Sequence, residues 1–148
     1  MACLDYLGTY VALMAKIKAS KETGEIKVER IVCAMDMGPV INPEGARMQI
    51  EGGVMMGLGY CLSEEMHFNG GEIKDLGFDS YAIPRFSWTP KIEPVLVENN
   101  DIAPSGCGEP PIVGMGALLA NALFDAIGVR ITQLPLTPAR IRDSHLKT

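Results

Sequence analysis

The sequence lacks several features that would decide its class at once. No apolar run reaches about 18 residues, so no membrane-crossing helix and no membrane partner are expected. No CxxC or HxxxH pair is present. Cys3, Cys33, Cys61 and Cys107 lie far apart, and His67 and His145 are not grouped with them. No metal-ligand set is therefore expected from this chain. Positive charge is not in excess: 13 Lys and Arg stand against 18 Asp and Glu, a net charge of −5. That balance disfavours nucleic acid as a partner. Met1 to Tyr10 contains Asp5 and no basic run, so it does not read as an export signal, and a cytoplasmic location is expected. Repeats, low-complexity tracts and linkers are absent, so residues 1–148 read as a single domain.

What is present argues for a packed core. Hydrophobic residues make up 47% of the chain and charged residues 21%, which excludes intrinsic disorder. Val11, Leu13, Ala15, Ile17 and Ala19 alternate with other residues, as in a half-buried strand. Lys21 to Gly24 reads as a turn, and Ile26 and Val28 resume the alternation. Ile31, Cys33 and Met35 continue it on the other parity, so a bulge near Glu29-Arg30 is expected within a long hairpin over 9–36. A small hairpin with its turn at Asn69-Gly70 and a strand over 91–97, which Pro94 pushes towards an edge or a bulge, complete the sheet elements.

Asn42-Pro43-Glu44 is a helix start: a capping side chain, a proline and an acid. Ile50, Val54, Leu58, Cys61 and Leu62 recur at helical spacing, which predicts a helix near 43–65. Gly52, Gly53, Gly57 and Gly59 interrupt it, and each interior glycine costs about 0.5–1 kcal/mol relative to alanine. A close approach by a strand, a helix or a ligand would offset that cost. Residues 103–111 read as a loop. Met115, Leu118, Leu119, Ala122, Leu123, Ala126 and Ile127 form a second helical stripe, ended by Gly128. Thr137-Pro138 can cap a last short turn of helix. The fold class expected is α+β, a mixed and mostly antiparallel sheet with two main helices packed on it.

The stretch Ser105-Gly106-Cys107-Gly108-Glu109-Pro110-Pro111 carries chemistry. Two glycines allow a bulky ligand to approach the backbone, and two prolines stiffen the loop around a carboxylate. A fixed carboxylate is what a general base needs. The alternative is an acid that merely stabilises the helix behind it through the helix dipole.

This stretch, followed by the apolar helix and then by Leu134-Pro-Leu-Thr-Pro-Ala-Arg-Ile141, resembles the C-terminal end of molybdenum hydroxylase large subunits. Three further segments agree in order. They are Tyr10 to Val28, Asp36 to Pro43 leading into Gln49-Ile-Glu-Gly-Gly53 and Gly57-Leu-Gly59, and Phe78 to Pro84. Nearly the whole chain is thereby similar to part of the xanthine dehydrogenase and aldehyde oxidase family, in particular to isoquinoline 1-oxidoreductase-like bacterial subunits.

The resemblance implies an oxidative hydroxylation of aldehydes or N-heterocycles. In the family the motif glutamate sits beside molybdenum and deprotonates its hydroxide ligand. The oxygen then attacks an electron-poor carbon, and hydride passes to a sulfido ligand. Glu109 occupies that position. Gln49 matches the glutamine that reaches the pterin, with Gly52, Gly53, Gly106, Cys107 and Gly108 along the cofactor wall. Cys107 departs from the small aliphatic residue usual there, and a plain loop filler is its alternative reading. The cofactor implied is the molybdenum–pterin cofactor, as molybdopterin or its cytosine dinucleotide. The partners implied are the remaining lobes of the large subunit and an iron–sulfur subunit. The family's other cofactor loops are not in this chain, and neither is a four-cysteine iron–sulfur pattern or a flavin motif. The isolated chain is accordingly expected to bind no cofactor, to be inactive, and to associate with a second copy through uncovered apolar surface. A non-catalytic assembly domain that keeps the fold is the other function class.

Overall fold

The computed structural model describes residues 1–146. Strand β1 (Ala2–Tyr6) leads through a tight turn at Leu7-Gly8 into β2 (Thr9–Ala19), which pairs along its length with β3 (Ile26–Asp36). The long hairpin of 9–36 is thus present, with its irregularity where the parity switch requires it. Lys16 faces Arg30 and Ile17 faces Val28, which leaves Glu29 as the extra residue. Strand β6 (Lys91–Leu96) adds to β3 in parallel and closes the order β1-β2-β3-β6, so Pro94 does sit on an edge strand. Arg30 from β3 and Lys91 from β6 itself both pair with Glu93 and hold its carboxyl down at about 2.

Helix α1 (Pro43–Leu62) begins as its sequence requires, with Asn42 Oδ1 accepting from the Gly45 N–H at 3.0 Å. It ends three residues before the expected limit. The second helix is two pieces, α2 (Pro110–Val113) and α3 (Met115–Ile127), joined at Gly114. Pro110 and Pro111 therefore open a helix and are not part of the loop; proline is well tolerated at that first turn. A further helix, α4 (Pro138–His145), is longer than the single turn expected, with Thr137 Oγ1 accepting from the Arg140 N–H at 3.3 Å. In the small hairpin, β4 (Phe68–Asn69) and β5 (Glu72–Ile73), the turn falls on Gly70-Gly71, one residue later than expected. Both glycines have positive φ, 57° and 84°, so the pair suits a two-residue loop better than Asn69-Gly70 does.

The core lies between one face of the sheet and the helices. Leu13, Ile31 and Met35 from the sheet meet Ile50 and Val54 of α1 and Leu118, Leu119 and Leu123 of α3, all buried. By length and composition Pro110–Ile127 is apolar enough to cross a membrane, contrary to the expectation drawn from unbroken runs. The difference arises because mean hydropathy over the segment tolerates its prolines, glycines, Asn121 and Asp125. Here the apolar stripe of this segment is spent on the core, with α3 packed against β2.

The glycines of α1 have distinct uses. A Cβ on Gly53 would lie 2.7 Å from Pro111 Cγ, and one on Gly57 would overlap the Met115 side chain. Both glycines are buried where α1 meets α2 and α3. Gly52 is exposed, with nothing within 4 Å of a Cβ. Gly52→Ala is therefore expected to stabilise the protein by about 0.5–1 kcal/mol through helix propensity. Gly57→Ala is expected to destabilise it by about 1–3 kcal/mol through overpacking. Thermal or urea unfolding of the two variants checks this; equal effects of one sign would contradict it.

Candidate active site

The loop 103–109 is stitched to three elements. At its start, the Ser105 N–H donates to the Met37 carbonyl at 2.8 Å, just beyond β3. Gly38 has φ +74°, and a Cβ there would lie 2.6 Å from the Ala103 carbonyl oxygen, so the chain after β3 and this loop nearly touch. Beneath the loop lies Thr9, a fully buried polar residue at the first position of β2. Its Oγ1 donates to the Gly106 carbonyl at 2.6 Å and shares a hydrogen bond with Ser105 Oγ at 2.7 Å. From α1, Gln49 Nε2 donates to the Gly108 carbonyl at 2.8 Å. Next in the chain, Pro110 and Pro111 are buried, Pro111 against Gly53.

Glu109 stands at the end of this loop, exposed, at the N-terminal boundary of α2. Its side chain does not cap that helix. Instead Oε2 accepts from the Tyr6 hydroxyl at 2.6 Å, across from the end of β1. The carboxylate raises the Tyr6 phenol above its usual range, first by accepting its hydrogen bond and then by its charge. Among the described residues none donates to Oε1 of Glu109. None accepts from the N–H groups of Gly106, Cys107, Gly108 or Glu109. A Cβ on Gly106 or Gly108 would meet nothing within 4 Å, so the outer side of the loop is open. Amide donors with no partner among the described residues, the remaining polar atoms of Gln49 and one free carboxylate oxygen suit a large polar ligand.

A family profile described as Molybdopterin cofactor-binding domain matches residues 5–90, more than half of the chain. The chain belongs to the molybdopterin cofactor-binding domain family. It is 35% identical over 133 residues to a nicotinate dehydrogenase subunit of Pseudomonas putida, covering 90% of this chain and 11% of that protein. It is 31% identical over 139 residues to the beta subunit of isoquinoline 1-oxidoreductase of Brevundimonas diminuta, covering 94% and 18%. Among solved structures, the aldehyde oxidoreductase of Desulfovibrio gigas superposes with a TM-score of 0.82 at 30% identity, over 95% of this chain and 16% of that one. Quinoline 2-oxidoreductase of Pseudomonas putida 86 superposes with a TM-score of 0.86 at 26% identity, over 94% and 19%. This molybdopterin-binding domain is thus similar to part of the molybdenum-binding subunits of the xanthine dehydrogenase and aldehyde oxidase family, and spans less than a fifth of the relatives named here.

The fold brings Gln49, Gly106, Cys107, Gly108 and Glu109 to one place. Gly52 lies one turn along α1 from Gln49, exposed. Gly53 differs from the reading of a glycine bared towards cofactor: it is buried against Pro111, so helix packing accounts for its missing side chain. Cys107 is half-buried and packs against the core, as a loop filler would. Tyr6 and Thr9 were not legible as site residues, and Ser105 only as the first residue of the chemistry-bearing stretch, without its tie to Thr9. The one sequence signal near them is Asp5 ahead of Gly8, whose N–H Asp5 Oδ1 accepts at 3.1 Å. Thr9→Val should leave the Gly106 carbonyl and Ser105 hydroxyl without their buried partner and cost about 1–3 kcal/mol. Hydrogen exchange should then quicken in 103–109, whereas unchanged stability and unchanged exchange would contradict this clamp.

Proposed function

We propose that this chain supplies one wall of the active site of a molybdenum hydroxylase and that Glu109 is its general base. The observation that carries the reading is the state of the Glu109 carboxylate. It is exposed on a loop pinned from three sides, it does not cap its own helix, and one of its oxygens is unengaged among the described residues. The amides of 106–109, without acceptors among the described residues, and Gln49 fit the polar edge of a molybdenum–pterin cofactor, as molybdopterin or its cytosine dinucleotide. When bound, that cofactor supplies the two-electron oxidation. The chain's own residues then have separable tasks. Gln49 fixes the height of the loop through the Gly108 carbonyl, and Gly106 and Gly108 leave room for the ligand. Glu109 takes, at Oε1, the proton of the oxygen nucleophile that adds to the substrate carbon. The names of the relatives support an aldehyde or an N-heterocycle as substrate class.

We further infer that the remaining lobes of a large subunit, together with an iron–sulfur subunit, complete the enzyme. The support is apolar surface. Phe68, Leu76, Phe78 and Phe86 are largely exposed along 66–88, and Tyr10, Met14 and Val95 line the sheet face away from the helices. Alone, the chain is expected to pair with a second copy; a clean monomer at high concentration by light scattering would argue against that.

In the complete enzyme, Glu109→Gln keeps size and polarity but cannot take the proton. Turnover should fall about 10²–10⁴-fold, while molybdenum content and melting temperature stay near wild type. If Glu109 served only the helix, the same variant would lose about 0.3–1 kcal/mol of stability and keep its rate. Rate, metal content and melting temperature measured on one preparation separate the two.

A further inference from the structure

Tyr6 is the one residue that hydrogen-bonds the Glu109 carboxylate among the described residues. We propose that Tyr6 is a positioning residue for Glu109: its hydroxyl fixes the carboxylate through one oxygen and leaves the other free to exchange a proton. The proposal rests on the reading of Glu109 as the base.

The geometry supports it from both sides. Tyr6 closes β1, where it pairs with Thr9 across the Leu7-Gly8 turn. That turn is held by Asp5 Oδ1 on the Gly8 N–H, and the Gly8 carbonyl accepts from Ser105 Oγ at 3.2 Å. The strand end bearing the phenol and the loop bearing the carboxylate are therefore tied together near both residues. A tyrosine side chain has few rotatable bonds, so holding it in place costs little conformational entropy. Its O–H has a single proton to donate, and the 2.6 Å contact commits that proton to Oε2. Glu109 is the charged group that acts on this hydroxyl. The nearby loop contacts from α1 and β2, Gln49 and Thr9, are neutral. Because the carboxylate holds the phenol in its protonated form, Tyr6 remains a donor throughout the neutral range.

The test has one arm on the chain and one on the complete enzyme. In the chain carrying 13C-labelled tyrosine, the Tyr6 ring carbon bearing the hydroxyl should titrate above the usual tyrosine value. In Glu109→Ala it should return towards that value. A Tyr6 titration indifferent to Glu109→Ala would overturn the pairing whatever the activity. In the complete enzyme, Tyr6→Phe should lower kcat by about 10-fold or more, the scale of a hydrogen bond to a charged group, with KM within about twofold and melting temperature unchanged. Tyr6→Phe combined with Glu109→Gln should be no slower than Glu109→Gln alone, because a positioning residue has nothing left to position. Wild-type kcat in Tyr6→Phe beside an inactive Glu109→Gln would overturn the role of Tyr6 and leave the base in place. Wild-type kcat in Glu109→Gln would overturn the base itself.

Discussion

Helix α1 and the α2–α3 pair approach so closely that side chains have no room at two places along their contact. Gly53 lies under the ring of Pro111, and Gly57 under Met115. Glycines inside a helix forfeit helix propensity, and here the gain is distance. With the helices this near, Gln49, one turn before Gly53, reaches the Gly108 carbonyl at 2.8 Å. The same contact buries Pro110 and Pro111, which fix the chain on the far side of Glu109. A bulkier seam would lift α2 away from α1 and carry the glutamate out of register with the glutamine. Much of the site's geometry thus follows from two missing side chains.

A second constraint meets the first from below. Thr9 is fully buried at the start of β2, and its hydroxyl serves both Gly106 and Ser105. A buried hydroxyl left without partners is costly, and here its partners are Gly106 and Ser105 of this loop. Loop 103–109 is therefore held by the helix layer at Gly108 and by the sheet layer at Ser105 and Gly106. Its outer side is open at Gly106 and Gly108, its amides from 106 to 109 have no acceptor among the described residues, and the Glu109 carboxylate is exposed. This is how a rigid scaffold presents chemistry on a loop.

The hairpin was legible in the sequence because alternation reports burial directly, and the bulge because a change of parity within one strand requires an extra residue. Strand β1 was not. It has five residues, and the turn behind it places Leu7 at φ +52°, where asparagine or glycine is the usual signal. Pro110 and Pro111 read as loop because proline stops a helix that precedes it, yet it also begins one, as Pro43 does. Within the site, Glu109 and Gly108 stand out locally between glycine and proline. Gln49 lies 59 residues from Gly108, and Tyr6 lies 103 residues from Glu109. Spacing along a chain carries no information about such contacts. Resemblance to a family directed attention to Gln49, and only the fold exposed Tyr6 and Thr9.

The proposed chemistry requires that the edge of this loop be a wall of the molybdenum site and that the Glu109 carboxylate face the reaction. A crystal structure of the cofactor-loaded complete enzyme tests both at once. The metal should lie beside Glu109 on the open side of 106–109, with Tyr6 still on Oε2 and Gln49 still on the Gly108 carbonyl. A cofactor bound against another surface of this domain, with Glu109 facing bulk solvent, would contradict it.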